Sequence, residues 1–352
     1  MISYLARITF SIAPWLVIAS LLYVALFVKP APVGQTVTPA AIETRDRFYG
    51  GVSPESGILW IVGADGKIIR SDDHGKSWLV QKVDPDVHFQ DIAAWDGDTA
   101  IAVGNGGVVV RTEDGGDNWA TVVVPVSEVA NKLIDVKAYS AGEAWIVGEF
   151  GNILKSSNFG RTWVRMSEPD DVIFNEIVRV DDNSLIVVGE FGTILRTNDN
   201  GQSWSVLDLP VSNSITSIDF ADSERGLAGG LQGLLLGTMD GGESWFQIDE
   251  NFQPPSGVVK PGSSLRDAWS DFTSEHIFSL RWIEDRGVWV ATGAKGIWVT
   301  GSKDFSQWQS GRLAEREMGW HTDIVLVEKG LLFAGMNLGI WDFSTWRLIS
   351  GS

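Results

Sequence analysis

A single eight-residue pattern recurs along this chain at near-constant intervals, and few architectures accommodate that. Ser71 to Trp78 (SDDHGKSW) returns as Thr112 to Trp119 (TEDGGDNW), Ser156 to Trp163 (SSNFGRTW), Thr197 to Trp204 (TNDNGQSW) and Thr238 to Trp245 (TMDGGESW). Shortened copies follow at Ser302 to Trp308 and Asp342 to Trp346. The closing tryptophans stand 41, 44, 41, 41, 63 and 38 residues apart. A period of this length marks a repeat fold, in which one unit cannot bury its own faces and stacks on its neighbours.

Each unit has the same internal order. An apolar run, such as Ile58 to Val62, Ala144 to Val147 or Leu185 to Val188, meets a G-x-x-G turn, and a second aliphatic run leads into the box. The last glycine of the turn precedes the first Ser or Thr of the box by five residues in all five full copies. Two strands joined by a tight turn, then a hairpin into a third, describe antiparallel sheet. A fourth, innermost strand precedes each unit, as at Leu133 to Ala138 and Ile215 to Phe220. Residues 46–352, less one insertion of 22 residues before the sixth unit, hold about seven such units, within the usual range of blade numbers. The predicted fold is all-β, a seven-bladed β-propeller.

The box has its own chemistry. Its third position is Asp73, Asp114, Asn158, Asp199 or Asp240, and its fifth is always Gly. A short side-chain oxygen accepts backbone N–H groups of its own turn, and glycine permits positive φ where the chain doubles back. Trp78, Trp119, Trp163, Trp204 and Trp245 then plug the gaps between blades, burying on the order of 200 Å2 each. Trp204→Ala is accordingly expected to cost about 3–5 kcal/mol. Asn158 builds the same turn without a charge, and the boxes lack the dense acids of a calcium loop. Their role is structural, and the pattern calls for neither a metal nor a cofactor.

Residues 8–28 carry no charge between Arg7 and Lys29. At ~1.5 Å per residue they span roughly 30 Å, the thickness of a bilayer core. That exceeds the apolar region of a cleavable signal peptide, and no A-x-A site follows. One transmembrane signal-anchor helix within residues 1–29 is expected. A Pro- and Ala-rich linker over 30–45 should then lift the propeller, 46–352, off the periplasmic side of an inner membrane. Beyond residue 30 the chain carries 25 Lys and Arg against 45 Asp and Glu, a charge of −20. Nucleic acid and anionic lipid headgroups would be repelled, which argues against both as partners. With no Cys, disulfides, thiol catalysis, Cys-ligated zinc and lipidation at an N-terminal Cys are excluded.

In the G-x-x-G turn, the five-residue interval and the [ST]-x-[DN]-x-G-x-[STN]-W box, residues 46 to 346 resemble the bacterial-neuraminidase-repeat propellers. Within them the chain is most similar to the photosystem II stability and assembly factor family. The resemblance implies a non-catalytic, seven-bladed propeller that docks on integral membrane proteins during assembly through an arginine-rich patch. Cyanobacterial members are lipoproteins with an N-terminal Cys; here a helix would take its place. Relatives outside photosynthesis resemble accessory proteins of resistance-nodulation-division exporters, a second possible role. A sialidase-like propeller that binds or hydrolyses glycans is a third.

Two surfaces are candidates for docking. The residue before the box is Arg70, Arg111, Lys155 and Arg196 in four consecutive units, then Gly237. This basic arc matches the implied patch in kind, and all four side chains should then tolerate Glu with the thermal transition nearly unchanged. The alternative is local pairing with box acids such as Asp72 and Glu113. On the opposite rim the turns Gly148 to Gly151 and Gly189 to Gly192 present Phe150 and Phe191, aromatic contacts for a protein partner unless each folds over its own blade. The insertion, with Arg266 and Trp269, shares that rim. Hydrolysis of the sialidase kind needs a Tyr nucleophile with a Glu partner and three arginines. Only Tyr49 and Tyr139 lie outside the N-terminal segment, neither in the late blades. The four histidines, 74, 88, 276 and 321, have no metal-ligand spacing. The expected partner is an integral membrane protein or complex.

Overall fold

The computed structural model describes residues 14–23, 40–209, 211–249 and 275–349. Arg266 and Trp269 lie outside them, as do residues 8–13 and 24–28 of the apolar N-terminal run. The chain divides into two units, 1–39 and 40–352. In the first, residues 14–23 form a helix whose apolar side chains, Trp15, Leu16 and Leu22 among them, are exposed. Among the described residues no helix is long and apolar enough to cross a membrane.

In the second unit the described residues form seven four-stranded antiparallel sheets, each with its strands in sequence order. The inner strands are Phe48–Val52, Phe89–Ala94, Leu133–Ala138, Phe174–Arg179, Ile215–Phe220, Ile277–Ile283 and His321–Val327. Consecutive inner strands touch and the seventh touches the first, so the ring closes. This is the expected seven-bladed propeller. Among the described residues no strand is exchanged between the first and last blades; side chains close the seam. The Gly51 N–H donates to Asp323 Oδ2 at 2.8 Å, and Thr322 Oγ1 donates to the Tyr49 carbonyl at 3.0 Å. Ile42, Phe48 and Leu59 pack with Val325, Leu332 and Leu338. Ile42, in the stretch read as linker, is thus buried.

Second strands are apolar on both faces because each blade is covered on both sides. Leu59–Gly63, Ala100–Gly104, Ala144–Gly148, Leu185–Gly189 and Gly226–Gly230 are buried at every position.

The boxes form the turns their residues dictate. Asp73 Oδ1 accepts the N–H groups of Lys76 at 3.0 Å and Ser77 at 2.8 Å, and Oδ2 accepts the Ser77 hydroxyl at 2.6 Å. Asn158 Oδ1 accepts the Thr162 N–H at 3.0 Å, so the amide does the same work. The shortened boxes keep the device: Asp304 accepts from Ser306, and Asp342 from Ser344 and Thr345.

The fifth-position glycines, with φ from +74° at Gly160 to +90° at Gly116, have a second reason to lack a side chain. Four of the five, Gly116, Gly160, Gly201 and Gly242, press on the second strand of the preceding blade, whereas Gly75 lies against Leu59 of its own. A β-carbon on Gly116 would lie 2.8 Å from Trp60, and one on Gly201 would overlap Trp145. Trp119 meets Trp60 edge-on at 5.6 Å and Trp204 meets Trp145 at 6.3 Å. Trp60 and Trp145 are fully buried, whereas Trp119, Trp204 and Trp245 are half-buried. The interblade wedge is therefore a pair, a buried second-strand side chain capped by a box indole. The cost of about 3–5 kcal/mol belongs to Trp145→Ala, and Trp204→Ala falls below it.

Gly201→Ala should lower the unfolding free energy by about 3 kcal/mol, a left-handed penalty added to overlap with a buried indole. Gly287→Ala, at φ +62° with nothing within 4 Å, should cost only about 1 kcal/mol. Equal costs in urea unfolding would refute the interblade role of the box glycine.

The boxes also set the acid limb of stability. Hydrogen bonds from Ser77 hold the Asp73 carboxyl at about 2, and those from Ser203 and Thr197 do so for Asp199, against an ordinary 3.8. A carboxylate depressed in the folded state adds stability above its unfolded value that is lost as pH falls toward the folded one. The melting temperature should drop between about pH 4 and pH 2. Asp199→Asn, which copies Asn158, should fold and show a shallower drop; an unaltered profile would discount the box carboxylates.

Candidate functional site

The inner strands meet around a central channel, and their third positions form a ring: Gly50, Asp91, Asp135, Glu176, Ser217, Ser279 and Asp323, each paired in equivalent register with its second strand. Most reach to the next blade and accept a backbone N–H there. Asp91 Oδ2 accepts from Val136 at 3.0 Å, Asp135 Oδ2 from Ile177 at 3.0 Å and Glu176 Oε2 from Ile218 at 3.0 Å. Ser217 Oγ accepts from Leu280 at 3.0 Å, and Asp219, two residues on, accepts from Trp282 at 2.8 Å. These bonds do between blades what a sheet ladder does within one.

Two cations sit among the acids. Lys137 pairs with Asp135 at 2.6 Å and Glu176 at 2.8 Å; Arg281 pairs with Glu176 at 2.7 Å and Asp323 at 3.4 Å. Burial opposes ionisation of Glu176, but Lys137 and Arg281 prevail and hold its carboxyl well below the ordinary range. Burial, then the Asp135 charge, push Asp91 well above it.

The second positions line the channel mouth, at the end that carries the G-x-x-G turns: Tyr49, Gln90, Ile134, Asn175, Thr216, Phe278 and Thr322, around a cavity of about 380 Å3. The Asn175 amide donates to the Ile215 carbonyl at 2.8 Å, and Thr216 Oγ1 to that of Ile277 at 2.6 Å. Tyr49 stacks on Trp320 at 5.8 Å and meets His88 edge-on at 6.5 Å. Sequence reasoning passed over these residues, although a polar third position recurs in FQDIAA, LIDVKA, FNEIVR and ITSIDF. The signal is short and weak beside the box.

The basic arc is engaged within the molecule. Arg70 donates to the carbonyls of Gly97 at 2.8 Å and Gly115 at 2.6 Å in the next blade, and pairs with Asp72 at 2.8 Å. Arg111, buried, donates to the Phe159 carbonyl and pairs with Glu113 at 2.5 Å. Arg196 donates to the Gly241 carbonyl and to Asn198 Oδ1. Gly115, Phe159 and Gly241 are each the fourth residue of the following box, so three cations clamp successive blades. Lys155 stays on its own blade, 3.5 Å from Glu143 and 4.8 Å over the Trp145 ring. Local pairing is what the structure contains, and charge reversal at Arg70, Arg111 and Arg196 is accordingly expected to cost stability. Phe191 is 73% exposed and Phe150 half-buried, both at positive φ on their turns.

Tyr139 is a poor nucleophile: burial raises its hydroxyl pKa, and the Arg179 guanidinium lies 4.6 Å over its ring. Among the described residues no group of three His, Cys, Asp or Glu is placed to hold a metal ion.

Arg111→Glu should cost about 3 kcal/mol or more, since it puts an acid beside Glu113 in a buried site. Arg45→Glu, at a side chain 85% exposed, should change stability by no more than about 0.5 kcal/mol. Denaturant titration of both variants checks the clamp; a small loss at Arg111 would contradict it.

The family model described as photosynthesis system II assembly factor YCF48 matches residues 76–207. No curated protein matches the chain in sequence. Among solved structures, YCF48 bound to D1 peptide superimposes with a TM-score of 0.65 at 16% identity, over 84% of this chain and 92% of that one. YCF48 from Cyanidioschyzon merolae gives 0.62 at 16% identity, over 86% and 95%. A GH74 xyloglucanase from Xanthomonas campestris gives 0.68 at 12% identity, over 89% of this chain and 55% of the enzyme. The matched segment, the box repeats and the closed seven-bladed ring together support a YCF48-like, Asp-box propeller family for this chain.

Proposed function

We propose that this chain is a non-catalytic docking propeller, an assembly, stability or accessory factor for an integral membrane protein complex, anchored by its own N-terminal helix. The carrying observation is a division of labour between channel and rim. The channel carboxylates accept backbone N–H groups of the neighbouring blade and so hold the ring together. The G-x-x-G rim, in contrast, displays Phe191 with 73% of its surface free on a rigid scaffold, the kind of aromatic anchor that protein interfaces use. Likeness to YCF48, one structure of which holds a D1 peptide, supports a polypeptide partner. The fold shared with a xyloglucanase does not carry its reaction.

The uncharged run 8–28, with exposed apolar side chains on its helical part, supports lipid as the surroundings of that segment. The propeller then stands on the periplasmic side of the inner membrane. A photosystem and an exporter of the resistance-nodulation-division type are the two candidate complexes.

Full-length protein solubilised from its native membrane should co-purify an integral membrane protein. Phe191→Asn keeps a residue that tolerates the left-handed turn and should cut recovery about fivefold with little change in melting temperature. Undiminished recovery would remove this rim from the docking surface. An alkaline carbonate wash should leave the full chain in the membrane pellet; release into the supernatant would overturn the anchor.

A further inference from the structure

The channel mouth is uneven in a way that docking through Phe191 does not use. Lys137 pairs with Asp135 and Glu176, and Arg281 with Glu176 and Asp323, two cations against three carboxylates. Asp91, in the same ring, forms no ion pair among the described residues, and its Oδ2 accepts only the Val136 N–H. Its Oδ1 faces Gly50, where the ring has no side chain; a β-carbon there would overlap that oxygen. Burial, then the Asp135 charge, raise the Asp91 pKa against the opposing charge of Lys137. The cavity of about 380 Å3 beside Asp91 is lined by four carboxylates, Asp91, Asp135, Glu176 and Asp323, against three cations, Lys132, Lys137 and Arg281, and by the rings of Tyr49 and Phe278. Tyr49 is held by its stack on Trp320, interplanar angle 7°, and an aromatic face attracts a cation.

We propose that this mouth receives one basic side chain, a lysine or arginine of the partner polypeptide, with its cation at Asp91 and its stem along the aromatic wall. The inference rests on the docking reading and names the chemistry of what enters. Charge complementarity favours it, since the ring carries more carboxylates than cations and the domain as a whole is acidic. A long aliphatic stem with a charged tip suits a cavity with apolar walls and an acidic floor. A bare metal ion fits less well, because no three acids are grouped as ligands among the described residues.

The test is calorimetric titration of the full-length protein in detergent with a blocked pentapeptide carrying a central lysine, against the same peptide carrying norleucine. The lysine peptide should bind about tenfold tighter. Asp91→Asn keeps an oxygen for the Val136 N–H without the charge and should erase that preference. Tyr49→Ala should reduce it, and Gly287→Ala, with nothing within 4 Å of its added β-carbon, should leave it intact. No difference between the peptides, or a preference that survives Asp91→Asn in a normally melting variant, overturns the proposal. A partner that is lost at Phe191→Asn while lysine shows no preference would remove this inference alone and leave the docking reading standing.

Discussion

Four successive blade interfaces depend on a contact that only glycine can make. At the fifth box position the backbone turns left-handed and lies directly on the second strand of the blade before it, against Trp60, Ile101, Trp145 or Ile186. The box acid or amide holds that turn rigid by accepting its N–H groups, and the box indole then caps the contact. Turn geometry, close approach and aromatic packing are thus met by one short stretch of chain. Blades two to five each make this contact with the one before, so that stretch of the ring is a series of near-identical interfaces.

At the axis the same problem is solved by charge and hydroxyl groups. Inner strands of neighbouring blades are too splayed to share a ladder, so side chains at the third position reach across to backbone N–H groups. Asp323 to Gly51 is one of these links, and with the apolar packing around Ile42 and Phe48 it closes the seam between blades seven and one. A belt of acids so close together needs counter-charge. Lys137 and Arg281 supply two charges to Asp135, Glu176 and Asp323, and Asp91 is left without a direct ion pair among the described residues.

The outer arginines follow the same logic. A cation before four consecutive boxes looks like a surface feature, yet Arg70, Arg111 and Arg196 turn sideways into the carbonyl of the next box. Basic residues on an acidic domain can serve the scaffold as readily as a partner. Rings of closely similar shape serve as a YCF48 and as part of a xyloglucanase, so the shape alone decides neither use.

Sequence by itself determined the blade count, the innermost strands at Leu133 to Ala138 and Ile215 to Phe220, and the turn-forming role of Asp73 and its equivalents. These follow from local chemistry: a hairpin needs glycine at positive φ, a short acceptor fixes the turn, and a period of 41 residues leaves each unit unable to cover itself. Tertiary structure alone decided the rest. Whether Arg111 faces solvent or a neighbouring carbonyl, whether Trp145 or Trp204 is the deeper of the pair, and whether Glu176 shares Lys137 all depend on groups 39 or more residues away. Such contacts exist only once blades are set side by side, because the partner's position is fixed by the closure of the whole ring and not by the residues on either side.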